Sequence, residues 1–500
     1  MKKRYLRISK FTASLLFFIM ISVNVFSQVG IGTVTPNASS VLEIASTTKG
    51  MLTPRMTTAQ RLAIVSPADG LLVNDTDLKS FYYYISTTST WTQLSSDANG
   101  RTKFKRIKAI ADLAAEKIAG SNTKYLLDTT IFYEINGTIL VDLPIELNNS
   151  YLAGIDSGED KLVKVTAGDL FSGTTGGSIR VLTLAAGTGG VNLFNITGTG
   201  SIGAGTQNQN LIFRDCIVSG FANGGKLENF SLVFQSIVQF VSCTTGIVYK
   251  DISKILLSNV AWFGNNAGTY ETFQGTFGLV EKTGGFSEVN GTAIGFDVSS
   301  NPTITGDAVM ESVVFLGTLT TGKYVNPYTI GTYSNFNFND SWTVRSAGIP
   351  TEGDAVATGD MNFDYAVGSG SGTVFNGSNP SNIVKVAGVS TSSNLYRFSR
   401  NGLDNRLQYL GKKKRIFQVS GSISFQVPAS GIYIIYTAKN GTVISQYKIY
   451  GRGTVAADII VLPVIAATEM IKNDYIEIFA QRFSGSNGDI VTPNMSIIVK

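Results

Sequence analysis

Three short apolar segments recur at nearly even spacing in the middle of this 500-residue chain. They are LIFRDCIV at 211–218, SLVFQSIV at 231–238 and KILLSNVA at 254–261. Aligning their apolar residues places Ile212, Leu232 and Ile255 in one column, with offsets of 20 and 23 residues. A repeat of this size with apolar residues in the same columns is typical of one coil of a right-handed parallel β-helix. We expect that fold over residues 123–350.

The composition agrees with an all-β chain. Hydrophobic residues make up 43% of it, charged residues only 15%, and its 53 glycines indicate many turns. Strand-like segments with Gly, Asn and Thr turns begin near YLLDTTIFYEINGTILVDLPIEL, at 125–147, and continue through SVVFLG at 312–317. This stretch resembles the phage tailspike and pectate-lyase-like β-helices, many of which open with such a strand after a short helix. The resemblance concerns fold, and it carries over no catalytic residue.

A second β pattern follows a Gly/Ser/Asn-rich transition at 351–385. Residues 386–500 contain longer strands with period-two alternation, and Asn440-Gly441 is the dipeptide of a type I′ hairpin. This favours an antiparallel jelly-roll sandwich as a C-terminal head. The strand order resembles the head of the complement and tumour-necrosis-factor superfamily. That resemblance implies a homotrimer, with the strand of Tyr475, Ile476 and Ile478 near the threefold contact.

The N-terminus has the features of a secretory signal peptide. MKKRYLRISK is followed by FTASLLFFIMISVNVF, and small residues precede Gln28, the expected mature start. The alternative, a transmembrane anchor, would need a longer apolar run, so we expect no membrane span after cleavage. Residues 1–27 carry five of the 40 basic residues and none of the 35 acids, so the rest has no net charge. We therefore expect secretion to the outer cell surface of a Gram-negative bacterium.

Residues 28–98 form a small β-rich attachment domain in this interpretation. This segment resembles a leader of secreted surface proteins of some Gram-negative bacteria. The resemblance rests on the order of its motifs, which are GIGT, PRMTTAQR, DGLLVNDTD, FYYY and a tryptophan. Thr57 or Thr58 would cap a helix at TTAQRLAIV, and SFYYYIS with WTQL would form a hairpin. Residues 99–122 contain KFKRIKAIADLAAEKIA, whose spacing predicts an amphipathic helix. It would cap the β-helix or, alternatively, form a short trimer neck.

The absence of histidine excludes Ser-His-Asp triads, Cys-His pairs and HExxH zinc sites. Carboxylate chemistry stays open, because a glycosidase needs only two acids about 5–9.5 Å apart. The acids at hand are Asp215, Glu228, Asp251, Glu271, Glu281, Glu288, Asp297, Asp307 and Glu311. No Asp-Asp pair occurs in the chain. We predict no catalytic site, no cofactor and no metal, and the short basic runs at 103–108 and 412–415 give no basis for nucleic-acid binding.

Two further motifs have simpler explanations than chemistry. GTGSIG at 198–203 matches GxGxxG but is followed by AGTQNQNLIF, which predicts a turn and a strand where a dinucleotide site needs a helix. Cys216 and Cys243 would meet an oxidising compartment, so a disulfide is open. The two cysteines fall at different positions of the repeat, which favours two separately packed thiols over a disulfide.

Aromatic side chains are the remaining candidates for ligand binding. Tyr249, Trp262, Phe263 and Tyr270 are the candidate ligand-binding residues, because sugars stack their apolar faces on such rings. The preferred interpretation is a trimeric, fibre-like surface protein for adhesion to a glycan or another surface receptor. Two alternatives stay open: a polysaccharide depolymerase acting through carboxylates on the β-helix, and a structural surface or matrix protein. A viral tail fibre would share the architecture, but a signal peptide argues against it.

Overall fold

The computed structural model describes residues 10–15, 28–94, 103–375, 382–400 and 405–500. Most of the predicted signal peptide and the start of the predicted 99–122 cap lie outside the described residues. The chain divides into two compact units, Met1–Thr102 and Lys103–Lys500. None of the described helices is long and apolar enough to cross a membrane.

The first unit contains two small sheets and one short helix. Strands Val29–Ile31 and Leu42–Ile44 pair in parallel, and a four-stranded sheet is built from Arg55–Met56, Leu72–Asp75, Ser80–Ile85 and Thr90–Gln93. The predicted helix spans Thr58–Leu62, and Thr57 caps it in a capping box with Gln60. The predicted hairpin is also present, since Tyr84 pairs with Trp91 across antiparallel strands.

A buried ion pair joins the helix to the sheet of this unit. Arg61 donates from Nε to Asp75 Oδ2 at 2.9 Å, and its guanidinium lies 4.0 Å from the centre of the Tyr82 ring. Asp75 also accepts from the Thr58 hydroxyl and from the amides of Asp77 and Leu78. The Asn74–Asp77 turn is therefore fixed by side-chain hydrogen bonds.

The second unit begins with a parallel β-helix of about nine turns, which confirms the predicted fold. Within the described residues its strands are Phe104–Ile107, Tyr125–Leu126, Phe132–Ile135, Thr138–Val141, Ile145–Glu146, Tyr151–Ala153, Lys161–Lys164, Gly168–Gly173, Gly177–Arg180, Thr183–Ala186, Val191–Thr197, Asn210–Ser219, Asn223–Glu228, Leu232–Val241, Ile247–Ser258, Ala261–Trp262, Thr269–Thr283, Phe286–Glu288, Ile294–Asp297, Thr303–Ile304, Ala308–Leu316, Lys323–Asn326 and Trp342–Ala347. In the first coils each strand pairs with the third strand further along, as Thr138–Val141 does with Lys161–Lys164. One coil thus contributes a strand to each of three faces.

Inward side chains of successive coils stack into one continuous apolar core. Phe171 stacks on Phe194 at 5.8 Å, and Phe194 contacts Phe213 edge-on at 5.5 Å. All three rings are buried. Each coil buries its inward residues only against its neighbours, so a single coil has no core of its own.

The repeat is 22 residues in the three aligned coils, which corrects the predicted offsets of 20 and 23. Leu211 pairs with Val233, and Val233 pairs with Ile255. Leu232, expected beside Ile212, instead pairs with Asn210. The error arose because apolar residues face outward as well as inward in these coils, so matching apolar letters does not determine the register.

Corners between faces are formed by residues in the left-handed conformation. Asp215, Ile237 and Asn259 have φ of 55°, 54° and 52° and follow one another at the 22-residue interval. Asn and Asp adopt this conformation at low cost, whereas a β-branched residue such as Ile237 is strained there. The Ile237 side chain is 50% exposed at this corner.

The predicted helix at 103–119 is only partly helical. Phe104–Ile107 is a strand that pairs in parallel with Phe132–Ile135, and a 3-10 turn at Ile110–Leu113 leads into the helix Ala114–Ala119. Phe104, assigned to a helix face, thus joins the β-helix itself, where it stacks on Phe132 at 5.9 Å. Apolar spacing over so short a stretch fits either structure.

The predicted C-terminal sandwich is present and consists of two antiparallel sheets around a second core. One sheet contains Gly359–Asp364, Ser371–Thr373, Arg415–Gln426, Ile459–Met470 and Ile490–Val499. The other contains Ile383–Lys385, Phe398–Ser399, Leu407–Tyr409, Gly431–Lys439, Thr442–Val443, Ile449–Gly453 and Tyr475–Gly485. Short 3-10 turns lie at Asp354–Val356 and Ser445–Tyr447. Asn440 and Gly441 have φ of 51° and 76° and connect two paired strands, as a type I′ hairpin requires.

The head differs from the sequence expectation in two places. It starts before residue 386, because Gly359–Asp364 pairs with Ile490–Val499 inside the region expected to be a transition. Ile476 and Ile478, expected near a threefold contact, are 0% and 2% exposed and pack in the core of their own sandwich. These two side chains thus pack inside their own protomer, while the placement of the strand of Tyr475 near a threefold contact stays a prediction.

A buried arginine joins the head to the last coil of the β-helix. Arg397 is 2% exposed; it pairs with Asp354 and donates to the backbone oxygen of Trp342. Next to it, the Phe336 ring stacks on Tyr396 at 3.9 Å. Burial raises the pKa of Asp340, whose Oδ1 lies 3.9 Å from Arg397 Nε, while the arginine and Tyr333 counteract part of that shift.

Candidate functional site

Three of the four predicted ligand-binding aromatics face the interior of the β-helix. Tyr249, Trp262 and Tyr270 are each 0% exposed, and only Phe263 is half-buried. Trp262 lies between Phe240 and Tyr270, with ring centres 3.9 and 5.1 Å away. Phe263 packs edge-on against Phe286 at 5.1 Å. The expectation that Tyr249, Trp262 and Tyr270 bind a ligand is thus corrected: alternation along the strands turns these rings into the core.

These rings surround an ion pair inside the β-helix. Lys282 Nζ lies 2.9 Å from Glu271 Oε1, and Trp262 donates from Nε1 to the same oxygen at 3.0 Å. Side chains of the pair are 1% and 0% exposed. Burial, together with the Glu271 charge, raises the pKa of the Tyr249 hydroxyl well above its usual value. We call Tyr249, Trp262, Glu271 and Lys282 the interior cluster; it is closed to solvent and has a structural role.

Most acids proposed for a carboxylate mechanism already have structural partners. Glu228 accepts from both Lys226 and Lys250, and these two hydrogen bonds hold its pKa below the usual value. Asp251 accepts from the Thr276 amide at 2.8 Å, and Glu288 accepts from the Gly264 amide at 2.9 Å.

Three more of the nine acids have partners; Glu281 and Glu311 are not among them. Asp215 pairs with Arg214 at 2.8 Å, Asp297 accepts from the Ser299 amide at 2.9 Å, and Asp307 lies 3.7 Å from Lys412. Within the described ranges, no three acidic or cysteine side chains converge in a way that could hold a metal ion.

The two motifs that suggested chemistry have structural explanations. Residues 198–203 lie in a loop between strands Val191–Thr197 and Asn210–Ser219, and no helix follows to receive a pyrophosphate. Cys216 and Cys243 are both free and buried, as the repeat phases favoured. Burial raises the pKa of the Cys216 thiol to about 12, so it is unreactive at neutral pH.

A column of side chains, apolar except for one serine, runs along the outside of one β-helix face. Strand pairing places its members on successive coils, and each one faces its neighbours across the ladder. We call this set the outer column: Phe104, Phe132, Tyr151, Ser178, Ile212, Phe234 and Leu256. Phe104 is 36% exposed and Tyr151 is 49% exposed. Sequence reasoning missed this column. The 22-residue register would have revealed only its last three members, Ile212, Phe234 and Leu256, because the earlier coils have other lengths.

A cavity of about 230 Å³ opens in the outer column where the small Ser178 separates Tyr151 from Ile212. Asn149 and Asn210 line it on one side. Arg180 contacts two of the lining residues: its guanidinium lies 5.4 Å from the centre of the Tyr151 ring, and its Nε donates to Ser178 Oγ at 2.7 Å. An exposed ring and two asparagines therefore line one recess, and a guanidinium lies against the same ring.

Comparison with known proteins gives one family match, over part of the chain. Residues 30–108 match the family described as phage tail like trimerisation region. No curated protein matches the chain significantly.

Solved structures similar to parts of the chain include murine APRIL at pH 5.0 and a domain of a bacteriophage tailspike. APRIL is 7% identical, covers 29% of this chain and 98% of its own, and has a TM-score of 0.21. The enzymatically active domain of bacteriophage CBA120 tailspike protein 4 is 9% identical, covers 90% of this chain and 77% of its own, and has a TM-score of 0.20. TM-scores this low carry no argument about function. What supports the tailspike-like resemblance is the parallel β-helix itself and the match of residues 30–108 to a phage tail like trimerisation region.

Proposed function

We propose that this chain is a trimeric, fibre-like adhesin of the outer cell surface that binds a glycan along the outer column of its β-helix. The outer column with its recess at Ser178 is the observation that carries the binding proposal. The match of residues 30–108 supports the trimer, and the composition of residues 1–27 supports export.

Glycans fit the chemistry of this face. A pyranose ring has an apolar face that stacks on an exposed aromatic such as Tyr151, and its hydroxyls both donate and accept hydrogen bonds. The side chains of Asn149 and Asn210 offer amide donors and acceptors, and Arg180 offers donors only. Apolar residues exposed or partly exposed on both sides of the buried Ser178 indicate an interaction site.

Binding fits the acids of the β-helix better than hydrolysis does. A glycosidase needs one carboxyl free to donate a proton and a second free to attack or to activate water. Glu228 is held by two lysines, Glu271 is sealed in the interior cluster, and Asp251 and Glu288 accept from backbone amides. These contacts occupy four of the nine carboxylates that a depolymerase could use, Glu271 among them sealed from solvent.

Retention of a panel of bacterial and host polysaccharides on the purified full chain tests the proposal. We expect at least one glycan to be retained at unchanged chain length. Tyr151→Ala should weaken its binding about tenfold, or roughly 1.4 kcal/mol, because the stacking platform is lost. Tyr450→Ala, which removes a similarly exposed tyrosine of the head, is the matched control.

Each other outcome contradicts part of the proposal. Shortening of a polysaccharide would make the chain a depolymerase. Equal losses from Tyr151→Ala and Tyr450→Ala would remove the outer column as the site. No retention of any glycan would favour a protein receptor or a structural role.

A further inference from the structure

A second recess lies where a late loop of the β-helix meets the head. Its volume is about 300 Å³, and none of the residues that line it is charged. Ligand pockets in proteins begin at about this volume. We call the six residues on which the argument rests the junction recess: Ser334, Asn335, Phe336, Ser393, Asn394 and Tyr396.

Two buried carboxylates hold the loops of the junction recess in place. Glu352, which is 1% exposed, accepts from the backbone amides of Asn337 and Phe338 at 2.7 and 2.9 Å. Asp360, which is 7% exposed, accepts from the amide of Asn394 at 2.7 Å and from the amide before it at 3.1 Å. Fixing a loop before a ligand arrives lowers the entropy that binding costs. The recess is therefore preorganised on both of its sides.

The polar side chains of the junction recess make no hydrogen bond with other described residues. They are exposed, and two of them are amides and two are hydroxyls. The four residues are Ser334, Asn335, Ser393 and Asn394. The neighbouring Asn337, by contrast, donates from its side chain to Glu352 at 3.2 Å. Two rigid loops thus present free donors and acceptors to the same cavity.

Phe336 adds an aromatic surface to these polar groups. Its ring stacks on the buried Tyr396 with centres 3.9 Å apart, and Phe336 itself is only half-buried. A sugar ring has an apolar face that packs on an aromatic ring, and its hydroxyls pair with amides and hydroxyls. Because the lining has no charged side chain, an acidic sugar would find no ion pair there. The recess at Ser178 differs in this respect, since the Arg180 guanidinium lies against its aromatic ring.

We propose that the junction recess binds one neutral sugar unit, at a site separate from the outer column. This goes beyond the proposed function, because the site uses none of the residues of the outer column and does not need that column to bind. A glycan held at both places would gain affinity from the second contact without any new one at the first.

Saturation-transfer NMR on the full chain tests this site with the methyl glycosides of glucose, galactose, mannose and N-acetylglucosamine. We expect at least one of them to bind, and Asn394→Ala to weaken its binding about fivefold because the side-chain amide is lost. This variant keeps the backbone amide that binds Asp360. Ser334→Ala should weaken the binding as well. Asn210→Ala, which removes an exposed amide from the recess at Ser178, is the matched control and should leave the affinity unchanged.

The outcomes separate this site from the proposed function. Binding that is weakened by Asn394→Ala and unchanged in Tyr151→Ala supports the junction recess, whatever polysaccharide retention shows. Equal losses from Asn394→Ala and Asn210→Ala, or no binding of any of the four glycosides, overturn the inference and leave the outer column untested by this result.

Two further measurements complete the test. Tighter binding of methyl glucuronide than of any neutral glycoside would overturn the assignment to a neutral sugar. Thermal melts of the variants check that the loops stay folded. If Asn394→Ala melts below wild type, Ser334→Ala decides in its place, and unchanged binding in that variant overturns the inference.

Discussion

The β-helix and the head are both built from β-strands, yet they differ in how far apart in the sequence their contacting residues lie. In the β-helix, the role of a residue follows from its column, and each coil contacts only its neighbours, as Leu211, Val233 and Ile255 show. In the head, the first strand Gly359–Asp364 pairs with the last, Ile490–Val499, so one core depends on the whole segment. A destabilising substitution should therefore perturb only neighbouring coils in the β-helix, whereas in the head it should destabilise the whole sandwich.

Both regions also bury charge, but for different purposes. The ion pair Lys282–Glu271 lies wholly inside the β-helix among aromatic rings. Arg397 instead spans two regions, because it binds Asp354 and the backbone oxygen of Trp342 in the last coil. Removing either cation tests whether the two regions unfold separately.

The largest effect is expected from Lys282→Met. The change leaves the Glu271 carboxylate buried without its cation, which should cost about 3–5 kcal/mol of stability in the β-helix. Denaturant unfolding followed by tryptophan fluorescence checks this, because Trp262 donates to Glu271. The double variant Lys282→Met/Glu271→Met should recover most of the loss. A single variant as stable as wild type would contradict the role of the pair.

Arg397→Met should have the next largest effect, about 2–3 kcal/mol, since it leaves Asp354 without its buried partner. We expect the unfolding of the β-helix and of the head to separate into two calorimetric transitions. Arg345→Met, which changes an exposed arginine in the last strand of the β-helix, is the control. One unchanged transition would mean that other contacts hold the junction.

A gain of about 1 kcal/mol is expected from Ile237→Asn, because asparagine tolerates the left-handed corner that strains isoleucine. The reciprocal Asn259→Ile, at the equivalent corner of the next coil, should lose a similar amount. Thermal melts of the two variants measure the difference. A loss in both would show that the Ile237 side chain makes a contact worth more than the strain.

The smallest effect is the pH dependence of Glu228, whose pKa is lowered by hydrogen bonds from Lys226 and Lys250. A lowered pKa gives stability that is present above the ordinary carboxyl value and is lost as the pH falls through the folded-state value. Glu228→Gln should therefore cost less than about 1 kcal/mol near neutral pH and nothing in strong acid. Asp307→Asn, at a side chain that is 78% exposed, is the control for surface acids. A pH-independent difference would contradict the linkage.

The comparison of these regions also explains what the sequence could predict. The fold classes, the Thr57 cap and the Asn440-Gly441 hairpin follow from local patterns, and the structure confirms them. Three of the aromatic residues expected to bind a ligand were predicted wrongly, because a shift of one residue along a strand moves a side chain from the outer face to the core. Trp262 and Tyr151 are both aromatic residues in short strands, and only the ladder register shows that one faces inward and the other outward.

The 22-residue corners have a consequence for the reach of this protein. Asp215, Ile237 and Asn259 close successive coils at the same place, so a segment of 22 residues is a unit that begins and ends in the same register. Inserting or deleting one such unit would lengthen or shorten the shaft by about 4.8 Å and leave every side chain on its original face. The distance between the two ends of the β-helix can thus change in discrete steps of one coil when whole coils are inserted or deleted.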